Sequence, residues 1–342
     1  MDTLLISIIV AILSTSLSIR LLRPIALKID LVDRPSDRKK HQGLTPLIGG
    51  MAMFIGIVSS IFISSVDPTI AFHMVFVSML IVIIGVLDDY QDMPVKSRFF
   101  FQITSILIMV FFAGVELKSL GNLVGNGDVL LGPWSTIFTV FAVIGTINAL
   151  NMMDGIDGLA GGQSLVTFSS IAYLAYSAGN TNSTTIALLF CAVLIVFLRN
   201  NISTHCKKIF MGDGGSMFLG LMIAWLLVDL SQGDDRIYSP VTVLWLFAVP
   251  ILDTITTILR RFIKGKSPFK PDRNHVHHII MKFGYTSKQT LLIIIVISII
   301  FAIIGIVGEL NSIHQYVMFY WAMAISLVYI LINLWLIFYK KL

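Results

Sequence analysis

The chain has 342 residues, of which 56% are hydrophobic and only 13% are charged, and its formal net charge is +5. An ordinary soluble domain carries about 25% charged residues, so this composition excludes a soluble globular protein. It predicts an all-α, polytopic integral membrane protein that forms a single membrane-embedded domain over residues 1–342, surrounded by membrane lipids and without a nucleic-acid partner.

Apolar runs recur from one end of the chain to the other. A helix needs about 20 mostly apolar residues, within a range of roughly 17 to 25, to cross the hydrocarbon core of a bilayer. The first run has no cleavage site and is expected to be a retained helix rather than a signal peptide. About eleven transmembrane helices are predicted on this criterion, over residues 3–22, 47–66, 70–87, 99–115, 133–150, 159–178, 184–199, 214–230, 240–259, 289–308 and 315–338.

Lys and Arg residues concentrate in alternate loops between these runs. With the N-terminus outside, only Lys118 and Arg236 of the 24 Lys and Arg residues remain on the outer side. Cytoplasmic loops carry the excess of basic residues, so the N-terminus is predicted to be outside and the C-terminus cytoplasmic. The same alternation brings the polar clusters to the cytoplasmic side, in loops 23–46, 88–98, 151–158, 200–213 and 260–288. This one-sided arrangement is typical of an active site at the inner membrane surface.

The motif "GVLDDYQDMP" ends an apolar helix with Asp88 and Asp89. Adjacent carboxylates repel each other, and the C-terminal end of a helix disfavours negative charge. A divalent cation would remove that cost. The alternative is a solvated acidic loop at the end of a helix.

The motif "NMMDGIDGLAGG" contains Asn151, Asp154 and Asp157. If the segment is helical, the i, i+3 spacing of the two carboxylates places them on one face. They could bind Mg²⁺ through diphosphate oxygens, or could bind sugar and base groups without a metal. The alternative is a capped turn that faces water.

In "FMGDGGSMFLG", Asp213 lies between glycines at the start of an apolar helix. Gly214 and Gly215 would let backbone amides approach a ligand closely, and a helix N-terminus is a natural place for an anion or a metal-bound phosphate. Simple capping of the helix by Asp213 is the alternative.

The longest basic loop contains "KPDRNHVHHII". His275, His277 and His278, with Arg273 beside them, could form a zinc site or a clamp for a diphosphate. Zinc is disfavoured because cysteine ligands are lacking and oxygen donors dominate this face. A solvated basic loop remains the alternative. In the first cytoplasmic loop, which is basic, small residues around Thr45 leave room for a substrate at the membrane edge.

Together and in this order, "LDDY", "NMMDGIDGLAGG", "FMGDGGS" and "DRNHVHH" resemble the polyprenyl-phosphate N-acetylhexosamine-1-phosphate transferase family. The resemblance covers nearly the whole chain, from "TPLIGG" to the histidine motif. The H-x-H-H pattern is similar to that of bacterial members that use UDP-N-acetylglucosamine. Val276 interrupts the run of three histidines that is typical of muramoyl-pentapeptide transferases.

The resemblance implies a reaction and a location. N-acetylglucosamine 1-phosphate would pass from UDP-N-acetylglucosamine to undecaprenyl phosphate with release of UMP, as the first membrane step of O-antigen or enterobacterial common antigen synthesis. The cofactor would be Mg²⁺ or Mn²⁺. The protein would lie in the bacterial inner membrane, with a periplasmic N-terminus and an active site facing the cytoplasm. A homodimer is left open.

The resemblance also implies roles for individual residues. Asp213 would be the leading metal ligand, with Asp89 beside it. Asp88 would act as a base or position the acceptor. The residues expected to hold the rest of the substrates are Asn151, Asp154 and Asp157 for the nucleotide and diphosphate, Phe210 for the uracil, His275, His277 and His278 for the diphosphate or sugar, and Arg273 and Thr45 as further contacts.

Two alternative functions remain. One is the same phosphotransfer with another UDP-sugar, such as UDP-N-acetylmuramoyl-pentapeptide. The other is a lipid or sugar transporter, which is disfavoured because transporters place ionisable residues near the bilayer midplane and often contain paired repeats.

Overall fold

The computed structural model describes residues 2–34, 43–203, 208–263, 265 and 275–339. This part of the chain is mainly helical, and its only sheet is a two-stranded antiparallel ribbon of β1 (Val32–Asp33) and β2 (Thr45–Pro46). The helices are α1 (Asp2–Lys28), α2 (Gly49–Ile61), α3 (Pro68–Gln91), α4 (Val95–Ala113), α5 (Ser135–Met153), α6 (Leu159–Ser177), α7 (Thr181–Asn201), α8 (Asp213–Asp229), α9 (Val243–Leu246), α10 (Ala248–Ile263), α11 (Val276–Lys282), α12 (Ser287–Leu310) and α13 (Gln315–Tyr339).

Within the described residues, 7 helices are long and apolar enough to cross a membrane, namely α1, α3, α4, α5, α7, α12 and α13. The number is 8 if α9 and α10, which bend by 84° at their junction, form one broken span. These helices confirm the prediction of an all-α polytopic protein. Every predicted span coincides with a helix or with the bent pair, but α2 has only 13 residues and α8 has 17. The number of eleven spans and the orientation of the termini stay predictions.

Helix α8 lies at the centre of the helical core. Every residue from Gly214 to Val228 is buried, and α8 packs against α2, α3, α5 and α6. A helix that is apolar on all sides is stable only when it is surrounded in this way. The N-terminal end of α8, which begins with Asp213, is therefore held in place by several neighbouring helices.

Glycines bring α2 and α3 into backbone contact with the first turn of α8. A Cβ atom at Gly85 of α3 would lie 2.2 Å from the Cα of Gly214, and one at Gly50 of α2 would lie 2.3 Å from the backbone nitrogen of Gly215. Gly214 and Gly215 were expected to admit a ligand, but here they let helices pack closely. This packing places Asp89, one turn after Gly85, beside the start of α8.

The β ribbon ties the first polar loop to the segment that precedes α8. Leu47, next to β2, forms a bridge with Phe210, and the Phe210 N–H donates to the Pro46 carbonyl at 2.9 Å. The N–H groups of Gly49 and Gly50 donate to the carbonyls of Phe210 and Met211, each at 3.0 Å. The segment 46–50 and the segment 210–211, which are far apart in the sequence, are therefore hydrogen-bonded to each other just before α8 begins.

Candidate active site at the helix ends

The carboxylate of Asp89 occupies the N-terminus of α8. Its Oδ1 accepts a hydrogen bond from the Asp213 N–H at 2.8 Å, and its Oδ2 accepts from the Gly214 N–H at 3.3 Å. The first amides of a helix lack partners within the helix and carry partial positive charge, so they stabilise a carboxylate. The helix end that the sequence offered to a substrate anion is thus occupied by a carboxyl group of the protein itself.

Arg98, in the first turn of α4, links the other two carboxylates. Its Nη1 donates to Asp88 Oδ2 at 2.8 Å and to Asp213 Oδ2 at 3.3 Å. Asp88 is only 5% exposed, and its Oδ1 accepts from the Met93 N–H at 2.9 Å. Buried carboxylates need such compensation because their mutual repulsion is poorly screened. Arg98 follows the "LDDY" motif by eight residues and lies outside every motif that predicted the site.

Asn151 joins α5 to the same cluster. Its side-chain NH₂ group donates to Asp213 Oδ1 at 2.7 Å and to Ser216 Oγ at 2.8 Å. The structure therefore brings Asp88, Asp89, Asn151 and Asp213 together, as the motifs predicted, from the ends of α3, α5 and α8. We call the group Asp88, Asp89, Arg98, Asn151 and Asp213 the carboxylate cluster.

Asp154 and Asp157 do not share a helix face. Helix α5 ends at Met153, and residues 154–158 form turns in which both aspartates are exposed. The helical arrangement considered for this motif is therefore wrong, because the chain must turn here to enter α6. Asp157 instead forms an ion pair with Lys208, with Oδ2 and Nζ 2.6 Å apart. The same ammonium group lies 5.0 Å from the centre of the Phe210 ring.

Asn201, which belongs to none of the predicted site motifs, connects two loops that border the site. Its Oδ1 accepts from the Gly158 N–H at 2.6 Å, and its side-chain NH₂ donates to the Ile209 carbonyl at 3.0 Å. Gly158 has a φ of 81°, a conformation that glycine adopts most easily. Asn201 thus positions the 154–158 turn relative to Phe210.

The histidine motif is anchored by Asp253 of α10. His275 Nδ1 lies 2.8 Å from Asp253 Oδ2, and the Val276 N–H donates to Asp253 Oδ1 at 2.7 Å. Asp253 is 3% exposed and lies inside an apolar run. An ionisable residue in such a run is itself a signal of function, so the sequence contains a signal for Asp253 even though no motif includes it.

His277 is buried against Gly155, and its ring nitrogens make no hydrogen bond to the described residues. It is 1% exposed. A Cβ atom at Gly155 would lie 2.2 Å from its Nε2, so glycine is needed at that position. Burial, and secondly the neighbouring His278, lowers the pKa of His277 to about 3. His277 is therefore a neutral imidazole near pH 7, and its buried polar atoms favour a ligand that can satisfy them.

Two residues predicted to contact the substrates, Thr45 and Arg273, are not seen beside the carboxylate cluster or the histidines. Thr45 lies in β2 opposite Asp33 and is 3% exposed. Arg273 lies outside the described residues. His278 does accompany His277, with ring centres 4.2 Å apart.

The described residues also enclose an apolar groove with a volume of about 500 Å³, and no member of the carboxylate cluster lines it. It runs between α5, α8 and α10. Ala149, two residues before Asn151, and Thr254, next to Asp253, line it near the polar residues, and Leu117 and Leu120 line its far end. We call it the α5–α10 groove.

Comparison with known proteins identifies the family. The model of glycosyl transferase family 4 matches residues 71–231. The chain is 38% identical to an undecaprenyl-phosphate alpha-N-acetylglucosaminyl 1-phosphate transferase of Yersinia pestis, over 86% of this chain and 82% of that protein. The protein of the same name from Haemophilus influenzae is 38% identical over 92% of this chain and 89% of its own length. The chain belongs to glycosyl transferase family 4.

The match to glycosyl transferase family 4 contains the carboxylate cluster. Residues 71–231 extend from α3 to the end of α8 and include all of its members, together with Asn201 and Phe210. The Asp253–His275 pair lies C-terminal to the matched segment. The family resemblance that was inferred from four short motifs is therefore confirmed.

The donor atoms of the cluster suit a hard divalent cation. Among the described residues, no group of three or more His, Cys, Asp or Glu side chains could hold a metal ion. Mg²⁺, however, is commonly bound by one or two carboxylates together with waters and substrate phosphates. Arg98 bridges Asp88 and Asp213, so these carboxylates already share one positive charge. The residues present therefore fit Mg²⁺ or Mn²⁺.

Proposed function

We propose that this chain transfers N-acetylglucosamine 1-phosphate from UDP-N-acetylglucosamine to undecaprenyl phosphate and releases UMP. The observation that carries the proposal is the carboxylate cluster itself, because three converging carboxylates, two of them bridged by Arg98, suit a divalent cation and the phosphates of a nucleotide-sugar. The names of the relatives describe this activity in those proteins.

In the proposed reaction, an oxygen of the lipid phosphate forms a bond to the sugar-bearing phosphorus. The bond between that phosphorus and the bridging oxygen of the diphosphate breaks, and UMP leaves with this oxygen. A phosphate monoester has a second pKa near 6 and is mostly a dianion at pH 7, so it needs no base. Both oxygens of Asp88 already accept hydrogen bonds. Asp88 therefore positions Arg98 and the acceptor rather than removing a proton.

Mg²⁺ or Mn²⁺ would bind at Asp213, with Asp89 beside it, and would supply positive charge that stabilises the diphosphate and the departing UMP. The Asp89 oxygens accept two fixed backbone amides, whereas those of Asp213 accept from the side chains of Asn151 and Arg98, which can rotate away, so we assign the direct metal contact to Asp213. Asp89 holds the backbone of Asp213 in place. Arg98 contributes further positive charge to the phosphates.

The other side chains of the site would bind the two substrates. Asn151, Asp154 and Asp157 would contact the nucleotide and diphosphate, and Phe210 would stack on the uracil. His275, His277 and His278, with Arg273 and Thr45, would contact the diphosphate or sugar. The ring nitrogens of His277, which are buried and without a hydrogen-bond partner among the described residues, support this role. We place the protein in the bacterial inner membrane with this site facing the cytoplasm, in the synthesis of O-antigen or enterobacterial common antigen.

A reconstitution assay tests the proposal. Purified protein with radiolabelled UDP-N-acetylglucosamine, undecaprenyl phosphate and Mg²⁺ should form lipid-linked product and UMP in equal amounts. A chelator should abolish the product, and added Mg²⁺ or Mn²⁺ should restore it. Asp213→Ala should be inactive, whereas Asp128→Ala, which removes a carboxylate paired with Arg236 instead, should retain activity. Equal activity of Asp213→Ala and wild type, or product only with UDP-N-acetylmuramoyl-pentapeptide, would contradict the proposal.

A further inference from the structure

A second and larger apolar groove lies between α6, α7 and α12. It has a volume of about 750 Å³ and shares no lining residue with the α5–α10 groove. Leu165 and Val166 of α6 form one wall, and Ile295, Ile299 and Ile303 of α12 form the other. We call it the α6–α12 groove.

The length of this groove suits lipid chains. Its lining follows α12 from Lys288 to Ile306, a distance of about 27 Å at 1.5 Å per residue. The hydrocarbon core of a bilayer is about 30 Å thick. A lipid tail beside α12 could therefore remain in contact with the groove at any depth that it reaches.

One end of the groove carries two unpaired cations. Lys288 lines the groove itself, and Arg199 lines an adjoining depression that shares Leu198 and Ile202 with it. Both side chains are exposed, and in the described part of the chain neither forms an ion pair. Basic pockets between membrane helices are typical binding sites for anionic lipid headgroups.

We propose that the α6–α12 groove binds an anionic glycerophospholipid, with its tails along α12 and its phosphate between Arg199 and Lys288. Among the described residues, no carboxylate or histidine lines the groove, so its lining offers no metal ligand to a phosphate, which argues against the reacting lipid. A symmetric contact between two copies would bring these unpaired cations into the interface without a matching carboxylate.

The bound lipid would also brace the active-site loop. Gly158 and Ile202 line the groove at its charged end, and Gly158 is hydrogen-bonded to Asn201, which holds the segment before Phe210. Headgroup binding would restrict the 154–158 turn. Anionic lipid should therefore raise the thermal stability of the full chain even without substrates.

Native mass spectrometry of the detergent-purified full-length protein tests the headgroup site. With equal amounts of phosphatidylglycerol and phosphatidylcholine, wild type should retain phosphatidylglycerol preferentially. Arg199→Gln/Lys288→Gln should reduce that preference on the order of tenfold, because each basic residue contributes substantially to anionic lipid binding. Lys28→Gln, an exposed cation outside both grooves, should preserve the preference. Equal preference in the double variant and in wild type would overturn the proposal.

A second variant fills the groove without changing its charge. Ser169→Trp should lower phosphatidylglycerol retention, whereas Ser177→Trp, on the same helix but outside the groove, should not. Three results would overturn the proposal: unchanged retention in Ser169→Trp, displacement of the lipid by undecaprenyl phosphate at equal concentration, or a dimer that Ser169→Trp alone dissociates. None of these measurements requires transferase activity, so the two proposals can fail separately.

Discussion

Arg98 stands between two carboxylates, Asp88 and Asp213, that would repel each other without it. In Arg98→Ala we expect transferase activity to fall on the order of 100-fold or more, because preorganised donors to phosphate oxygens contribute this much to catalysis. Arg98→Lys should recover part of the loss, since lysine keeps the charge but not the planar donor geometry. Initial rates at saturating substrates would measure both effects. Lys96→Ala, which replaces an exposed residue two positions earlier, is the control. Equal rates for Arg98→Ala and Lys96→Ala would show that Arg98 does not contribute to catalysis.

Substitution of Asp89 and substitution of Asp213 should have different effects on thermal stability. Asp89→Asn replaces one of the two oxygens that accept from the first amides of α8 with an NH₂ group, and we expect it to lower stability by about 1 kcal/mol, as loss of a helix cap does. Asp213→Asn reduces repulsion among the carboxylates and should leave the melting temperature unchanged or raised, while activity is lost. Thermal unfolding in detergent, combined with the transferase assay, separates the two. A larger loss of stability in Asp213→Asn would reverse our assignment.

The neutral state of His277 predicts a dependence of stability on pH. Its pKa is lowered from 6.5 to about 3 in the folded protein. As the pH falls below about 6.5, an unfolded histidine binds a proton that the folded one does not bind, so the folded state loses stability down to about pH 3. The melting temperature of His277→Gln should therefore fall less than that of wild type between about pH 7 and pH 4.5. His314→Gln, which replaces an exposed histidine, should show the same pH dependence of the melting temperature as wild type. The same dependence in His277→Gln would show that His277 is not buried as a neutral group.

At the scale of the elements, the close contact between α3 and α8 depends on glycine. In Gly85→Ala the new Cβ would lie 2.2 Å from Gly214 Cα, and because backbone cannot move aside easily we expect a loss of about 1–3 kcal/mol or more. Activity should fall too, since Asp89 follows one turn later. Gly145→Ala is the matched control, because a Cβ there meets no atom within 4 Å and alanine favours a helix. Thermal unfolding of both variants would test the contact, and equal melting temperatures would show that the helices can separate without cost.

The bend between α9 and α10 determines where Asp253 meets the histidine motif. The break of 84° lets α10 leave the direction of α9, and α10 carries Asp253 to the start of α11. The predicted continuous span at residues 240–259 could not show this break, because hydropathy is similar on both sides of Phe247. A single apolar run in the sequence is thus two elements that position the histidines.

At the scale of the whole molecule, the distribution of basic residues predicts which side of the membrane each loop occupies. Lys118 lies between α4 and α5, and Lys96 lies at the start of α4, near the carboxylate cluster. Single cysteines at these positions should react from opposite sides, with Lys96→Cys accessible only from the cytoplasm. Labelling of intact and permeabilised cells with a membrane-impermeant maleimide, in a Cys191→Ala/Cys206→Ala background, would measure this. Labelling of both positions from the same side would overturn the predicted orientation.

The chain's own sequence determined that it is a helical membrane protein and which motifs matter. Hydropathy is a local property, so each apolar run was visible without tertiary contacts. Asp88, Asp89, Asn151 and Asp213 were found because polar residues at the ends of such runs are costly unless they serve a purpose. Their order along the chain also carried the family resemblance that comparison confirmed.

Only the tertiary structure decided how these residues meet. In the sequence, Arg98 cannot be distinguished from other basic residues at a membrane edge, and only the packing of the helices brings it to Asp88 and Asp213. Asn201 belongs to no motif, and only the structure shows that its side chain joins two loops. The turn at Asp154 and the use of Gly214 for packing were likewise decided by neighbouring helices. Sequence patterns report the character of a segment, whereas a site depends on distances between segments, and those distances are set by how buried helices pack.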